Sequence, residues 1–336
     1  MSATLDTAAF PPGDREEAVR SAVWESVVRI EIDHHPAPED ISVQVRLNTV
    51  GCIGVCSGRA TGLTIRRTQR LAREDTEPEV FLGLQVTGTS VVAQNDRQAV
   101  LGPGEFALYD TSVPYTLGFD GGVDHHFLRF PRAALALPER LLRETTAVTF
   151  RADSPVAALA YAYFSQLAAT EGLHQDRYAQ AVTDPSLDLI RAAVTSRLGD
   201  SPLARESAEA TLSLRILRYM RAHLRDRDLS AARIASAHGV SVRHLYTLLA
   251  RSGVTPGDWI RSNRLEECRR ELAGPRARYR SIAAIGHSWG FVDATHFSRA
   301  FKQAYGLSPR AWRDLDRTCD RAGDRTGDRT GDRPGR

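Results

Sequence analysis

The sequence predicts an α+β chain of two domains: a β-sandwich or barrel followed by helices, then an all-α domain built from two helix-turn-helix units. Three observations carry this. Between residues 28 and 150, short runs rich in Val, Ile, Thr and Phe are broken by Gly, Pro, Asn and Asp, the texture of closely spaced strands. Between Leu229 and Arg313 a single helix-turn-helix pattern occurs twice. Charge divides along the same line: residues 211–336 carry 25 Lys and Arg against 13 Asp and Glu, net +12, whereas residues 1–210 carry 19 against 28, net −9. An acidic module joined to a basic one suits a nucleic-acid reader with a separate regulatory part; a solvated charge pattern is the other reading.

Residues 1–27 are read as an N-terminal arm with a helix over 14–28, its inward face formed by Ala18, Val19, Ala22, Val23 and Trp24. No basic stretch leads into an apolar run here, and no run of eighteen apolar residues occurs anywhere. Neither a signal peptide nor a membrane anchor is therefore expected. Cysteines at 52, 56, 268 and 319 are too scattered for a disulfide framework, which fits a reducing cytoplasm. Lys302 is the only lysine, so arginine richness reflects composition and only its placement informs.

Strands are expected at 28–32, 43–56, 63–68, 80–88, 89–94, 98–110 and 125–130. Beyond Pro138 the strand texture stops. Over 151–200 two helices are expected: Ser154 to Ala169, capped by Ser154 and facing inward with Val156, Leu159, Tyr163 and Leu167, and Pro185 to Leu198 with Leu187, Ile190, Val194 and Leu198. Residues 201–210 are polar and read as a linker. A helix over Leu212 to Leu224 opens a domain spanning 211–316, and the repeating Asp-Arg tail, 317–336, lacks apolar residues to offset its ordering entropy and is read as disordered and solubilising.

In the first repeat, Ile234 and Ala235 precede Gly239-Val240, Ser241, Leu245 and Leu249. In the second, Ile285 and Gly286 precede Gly290-Phe291, Asp293, Phe297 and Phe301. The offset is 51 residues before the turn and 52 after it, so the second turn is one residue longer. Glycine allows the bend, Ser241 and Asp293 cap the following helices, and the Leu and Phe pairs bury one face. Arg243, Tyr246, Thr247 and Arg251 then face outward from the first unit, and Thr295, His296, Ser298, Arg299 and Lys302 from the second. Such groups reach base edges and phosphates.

The stretch GFVDATHFSRAFKQAYGLSPRAWR resembles the signature of the AraC/XylS transcription regulators, with Trp312-Arg313 where Tyr-Arg is usual. The resemblance implies two helix-turn-helix units joined by a long helix. Thr255 to Ala273 fits it, with Pro256 in the first turn and Trp259, Ile260, Leu265, Cys268 and Leu272 as a buried stripe. About seventeen residues at ~1.5 Å each make a rod of roughly 25 Å, which with its flanking turns suits recognition helices about 34 Å apart. LGPGEFALYDTSVPYTLGF is similar to the cupin-like ligand-binding domain of one branch of this family, over roughly Trp24 to Pro138. A cupin-like β-barrel sensor over 28–150 is thus implied, with the 151–200 helices pairing in a homodimer or covering the open edge of the barrel.

Three rival functions are weighed on residues. Cys52 and Cys56 lack two further spaced ligands for the four-cysteine metal site of a DNA-repair methyl acceptor. A metal-dependent cupin enzyme needs converging His and carboxylate ligands. Val113-Pro114-Tyr115 stands where a ligand His is expected, His125-His126 alternate faces, and His34-His35 read as loop. A constitutive regulator without effector is not separable by sequence. The reading is therefore a cytoplasmic, sequence-specific, non-enzymatic transcription regulator without cofactor or metal, effector-responsive and activating. Its partners are double-stranded DNA, RNA polymerase, a small organic effector and a second copy of itself, with no membrane. Arg243, Tyr246 and Thr247 are assigned to bases and Arg251 to phosphate; Thr295, His296, Ser298 and Arg299 to bases and Lys302 to phosphate. Tyr109, Tyr115, His126 (or His125) and Arg67 (or Arg66) are candidates for effector contact.

Overall fold

The computed structural model describes residues 3–74, 77–175, 177–199, 201–251, 253–274 and 279–314. The chain divides into two units, Met1–Thr211 and Leu212–Arg336. The tail read as disordered, 317–336, lies outside the described residues.

The first unit opens with β1 (Ala3–Asp6), α1 (Arg15–Ser26), β2 (Glu31–His34), β3 (Val43–Val50), β4 (Ile53–Ala60), β5 (Leu63–Arg67) and α2 (Gln69–Glu74). It continues with β6 (Glu79–Thr87), β7 (Ser90–Gln94), β8 (Arg97–Leu101), β9 (Phe106–Asp110), β10 (Tyr115–Phe119) and β11 (Val123–Pro131). Two antiparallel sheets result, β1-β3-β4-β11-β6-β9 and β2-β5-β10-β7-β8. Among the described residues no ladder closes them into a barrel. The Thr61-Gly62 and Gly88-Thr89 turns send the chain from one sheet to the other, which gives two stacked layers. The run 43–56 is a hairpin, turning at Gly51 in the left-handed region (φ 61°).

In the larger sheet β6 and β9 are buried on both faces, which is why VFLGLQV reads as a continuous apolar run. Phe81, Ala107 and Tyr109 pack into the space between the sheets with Leu117 and Phe119. Their neighbours Val80, Leu82, Leu108, Leu128 and Phe130 pack on the opposite side, where a helical layer lies. That layer is α3 (Arg132–Leu135), α4 (Glu139–Thr145), α5 (Pro155–Ala169) and α6 (Gln180–Arg197), contributing Leu141, Phe164, Ile190 and Val194.

Several expectations need correction. Trp24 is 43% exposed rather than inward, because its indole Nε1 donates to the Ile30 carbonyl (2.7 Å) and Arg20 and Arg29 lie over its ring. His34 ends β2 and is not loop. Leu159 is 67% exposed; α5 buries Leu167 as expected, but with Ala157, Ala160, Phe164 and Ala168, and Ser154 makes no side-chain cap bond. Helix α6 starts five residues before Pro185 and contains it. The segment read as a linker is helical from Pro202, as the first half of α7 (Pro202–Ala222).

In the second unit, α7 is followed by α8 (Ala231–Ala237), α9 (Val242–Ala250), α10 (Pro256–Ala273), α11 (Ile282–Ser288) and α12 (Ala294–Tyr305). Ile216, Met220 and Leu224 of the α7 end pack with Ile234, Leu245, Leu248 and Leu249. Leu265, Cys268 and Leu272 of α10 pack with Ile285, Phe291, Phe297 and Phe301. Trp259 is only partly buried, against the first of these clusters.

Candidate nucleic-acid interface and ligand cavity

Each recognition helix starts on the cap the sequence specifies. Ser241 Oγ accepts the His244 N–H (3.1 Å) and Asp293 Oδ1 accepts the Thr295 N–H (2.7 Å). That bond holds the Asp293 carboxyl below its ordinary pKa, as a carboxylate at a helix N-terminus should be. Both turns pass through a left-handed glycine, Gly239 (φ 64°) and Gly290 (φ 83°), a region that costs other residues strain. The repeats differ where their helices cross. Ala235 packs with Leu245 in the first. In the second, a Cβ on Gly286 would lie 2.9 Å from Phe297 Cδ1, so the larger ring takes the volume that the glycine gives up.

With these faces buried, Arg243, Tyr246, Thr247 and Arg251 are exposed along one side of α9 and its C-terminus, at the i, i+3, i+4 spacing that aligns side chains. Thr295, His296, Arg299 and Lys302 are exposed on α12, while Ser298 is half-buried and bonds the Ala294 carbonyl (2.9 Å). Thr247 likewise donates to the Arg243 carbonyl (3.0 Å). Val242, the first residue of α9, and Val292, just before α12, are also exposed (42% and 72%), and the sequence pattern, which has other apolar residues in both turns, does not single them out.

Within the second unit a further feature, absent from the sequence pattern, ties the two helix-turn-helix repeats together. Arg264, on α10, donates from Nε to the Leu224 carbonyl (2.9 Å), from Nη2 to Asp226 (2.5 Å) and from Nη1 to Gly290 (3.1 Å). One guanidinium thus joins the segment before the first helix-turn-helix repeat to the turn of the second repeat. Gly290 leaves room for this approach, since a Cβ there would lie 2.6 Å from Arg264 Cζ and displace the guanidinium. Trp289 adds a second tie: its Nε1 donates to Glu271 Oε2 (2.7 Å), and Arg225 lies 4.3 Å over its ring.

In the first unit a cavity of about 90 Å³ lies between the sheets, closed on one side by Val19, Ala22 and Val23 of α1. Of the candidate effector residues, Tyr109, Tyr115 and His125 line it, whereas His126 and Arg67 do not. Arg67 is 1% exposed and donates to the carbonyls of Thr111 (2.7 Å) and Arg29 (2.6 Å), which makes it a bracket for the fold. Arg66 is exposed and pairs with Asp33 (3.7 Å). His125 enters the cavity because β11 alternates without interruption along its pairing with β4: Val123, His125 and Phe127 face the space between the sheets, and Leu128 and Phe130 face the helical layer. Cys56 lines the cavity and Cys52 is exposed in a turn. Among the described residues, no three His, Cys, Asp or Glu side chains gather as a metal site would need.

Comparison with known proteins agrees with both halves. Residues 19–195 match the AraC-binding-like domain and residues 234–314 a helix-turn-helix domain. The chain is 28% identical over 265 residues to the transcriptional activator NphR of Rhodococcus sp, covering 78% of each. It is 33% identical over 96 residues to the XylDLEGF operon transcriptional activator of Pseudomonas putida, covering 28% of this chain and 30% of that one. The crystal structure of the AraC-like transcriptional activator CuxR shares the fold, with a TM-score of 0.51 at 18% identity over 87% of this chain and 100% of that chain. No helix among the described residues is long and apolar enough to cross a membrane. A sensor-type β unit followed by two capped, outward-facing reading helices, matched in both halves, places the chain in the AraC/XylS family of DNA-binding transcription regulators.

Proposed function

We propose that the chain is an effector-responsive transcriptional activator, with α9 and α12 read into successive major grooves. The observation that carries this is the pair of recognition helices, each with a buried apolar face and an exposed polar one. Arg243, Tyr246 and Thr247 contact bases in one half-site, and Thr295, His296, Ser298 and Arg299 in the other. Arg251 and Lys302 neutralise phosphates. The cavity beneath α1 holds a small organic effector, and two copies associate through the α5–α6 layer, where Leu159 stands exposed. Activation follows from the names of the relatives, which are transcriptional activators, and implies contact with RNA polymerase.

The test is to pass fragmented genomic DNA over the purified chain and use the retained fragments as transcription templates. The expected result is stimulated transcription that a variant carrying both Arg243→Ala and Arg299→Ala fails to produce. Equal fragment retention by that variant would refute the assignment of the two helices to the grooves.

A further inference from the structure

The cavity between the sheets also specifies what enters it, an inference that rests on the effector-responsive reading. We propose that it selects an uncharged, mostly apolar molecule about the size of one aromatic ring, bearing a single hydroxyl or amide group that meets Nδ1 of His125. Size comes first. The space of about 90 Å³ is smaller than the dry apolar cavity of about 150 Å³ that holds benzene, so one ring is its upper limit.

The walls set the chemistry. Val19 and Val23 of α1 contribute aliphatic lining, and aromatic rings come from both sheets, Phe81, Tyr109 and Phe127 from one and Phe119 from the other, offering edge and face contacts to a ring. Among the described residues no Asp, Glu, Lys or Arg lines the cavity. A carboxylate or ammonium entering it would lose its water without gaining a counter-charge, which packing cannot offset. Its polar groups are themselves neutral. Burial lowers the His125 imidazole to about 4 and pushes the Cys56 thiol up to about 12, and the Tyr109 phenol is likewise raised by burial. A polyol is excluded by number, because each hydroxyl buried without a partner costs free energy and only His125, Tyr109, Tyr115 and Cys56 offer polar atoms.

His125 supplies the polar anchor. Its ring stacks on Phe119 (centroids 5.0 Å) and meets Phe127 edge-on (4.3 Å), which fixes its orientation. Its Nδ1 is buried without a hydrogen-bond partner among the described residues. A buried polar atom left unpaired carries a desolvation penalty that a partner removes. A hydroxyl, both donor and acceptor, satisfies either imidazole tautomer.

The experiment follows melting of the full chain with four probes: benzyl alcohol, toluene, benzoate and erythritol. Benzyl alcohol is expected to raise the melting temperature saturably, with toluene weaker and benzoate and erythritol without effect at matched concentrations near pH 7.5. His125→Phe keeps the stacked ring and removes the anchor. It should weaken benzyl alcohol about five- to tenfold, the worth of one hydrogen bond, and leave toluene unchanged. Ala22→Leu, which fills the cavity from α1, should abolish the response to both. Benzoate or erythritol binding as tightly as benzyl alcohol would overturn the chemical class. So would a benzyl alcohol response untouched by His125→Phe or by Ala22→Leu, or no response at all. The effector reading fails separately: transcription from the retained fragments would then ignore every small molecule while benzyl alcohol still raised the melting temperature.

Discussion

Replacing Arg264 by Met should loosen the second unit and cost more DNA affinity than its distance from the reading faces suggests. The side chain is half-buried and serves three backbone carbonyls. Hydrogen bonds from a charged donor contribute about 1.5–3 kcal/mol each, but water can reach part of this site, so the net loss is nearer 2–4 kcal/mol in all. For a unit of this size that is a fall in melting temperature of roughly 10–20 °C. The functional loss follows from geometry. Binding both half-sites gains from effective concentration only while the two helices are held at the right spacing. Affinity for a full retained fragment should therefore drop by at least about tenfold, while affinity for a fragment cut to one half-site changes by less than about threefold. Arg264→Lys keeps the charge without the fork and should recover only part of either loss. Calorimetry and a filter-binding titration on the two fragments check this. A melting temperature within about 2 °C of the parent, with full-site affinity unchanged, would refute the view that Arg264 sets the spacing.

Other outcomes follow from single groups. Gly286→Ala places a Cβ 2.9 Å from Phe297 Cδ1 and should destabilise the second unit by about 1–3 kcal/mol, read by urea denaturation. Arg299→Ala should relax base preference within its half-site by about 1–3 kcal/mol in competition binding, whereas Lys302→Ala should weaken all sequences alike and reduce the salt slope by about one. For pH, His125 has a folded pKa of about 4, set by burial, against about 6.5 unfolded. The unfolded chain therefore takes up the proton first, so stability is full above about pH 6.5 and is lost as pH falls toward 4, by about 3 kcal/mol at most. His34 and His126, also lowered by burial, act in the same direction. His125→Phe should flatten the slope between pH 6.5 and 4, measured by denaturant titration.

What the sequence made legible was local. Both recognition helices were readable from spacing alone, because Ser241, Asp293 and the Leu and Phe pairs act within one or two helical turns. The sheets were readable as texture but not as partners. That β11 lies between β4 and β6 depends on pairings across 37 to 75 residues, and β10 escaped because Tyr115-Thr116-Leu117-Gly118-Phe119 is short and glycine-broken. Alternation showed that only one of His125 and His126 could point inward, and the phase of β11 decides which, since Phe127 shares the His125 face while Leu128 and Phe130 lie against the helices. Trp24 and Leu159 fit the inward faces by periodicity, yet neither is buried. Arg264 was invisible for another reason: its partners are main-chain carbonyls, which leave no trace in residue type.

The double-faced strands β6, β9 and β11 form a partition one peptide thick. Tyr109 and Phe127 stand on one side, and their chain neighbours Leu108 and Leu128 on the other, bedded against the helical layer. Close-packed interiors yield little to compression. Whatever widens the chamber therefore transmits its displacement through a single backbone to the far side, and the messenger and the message are consecutive residues.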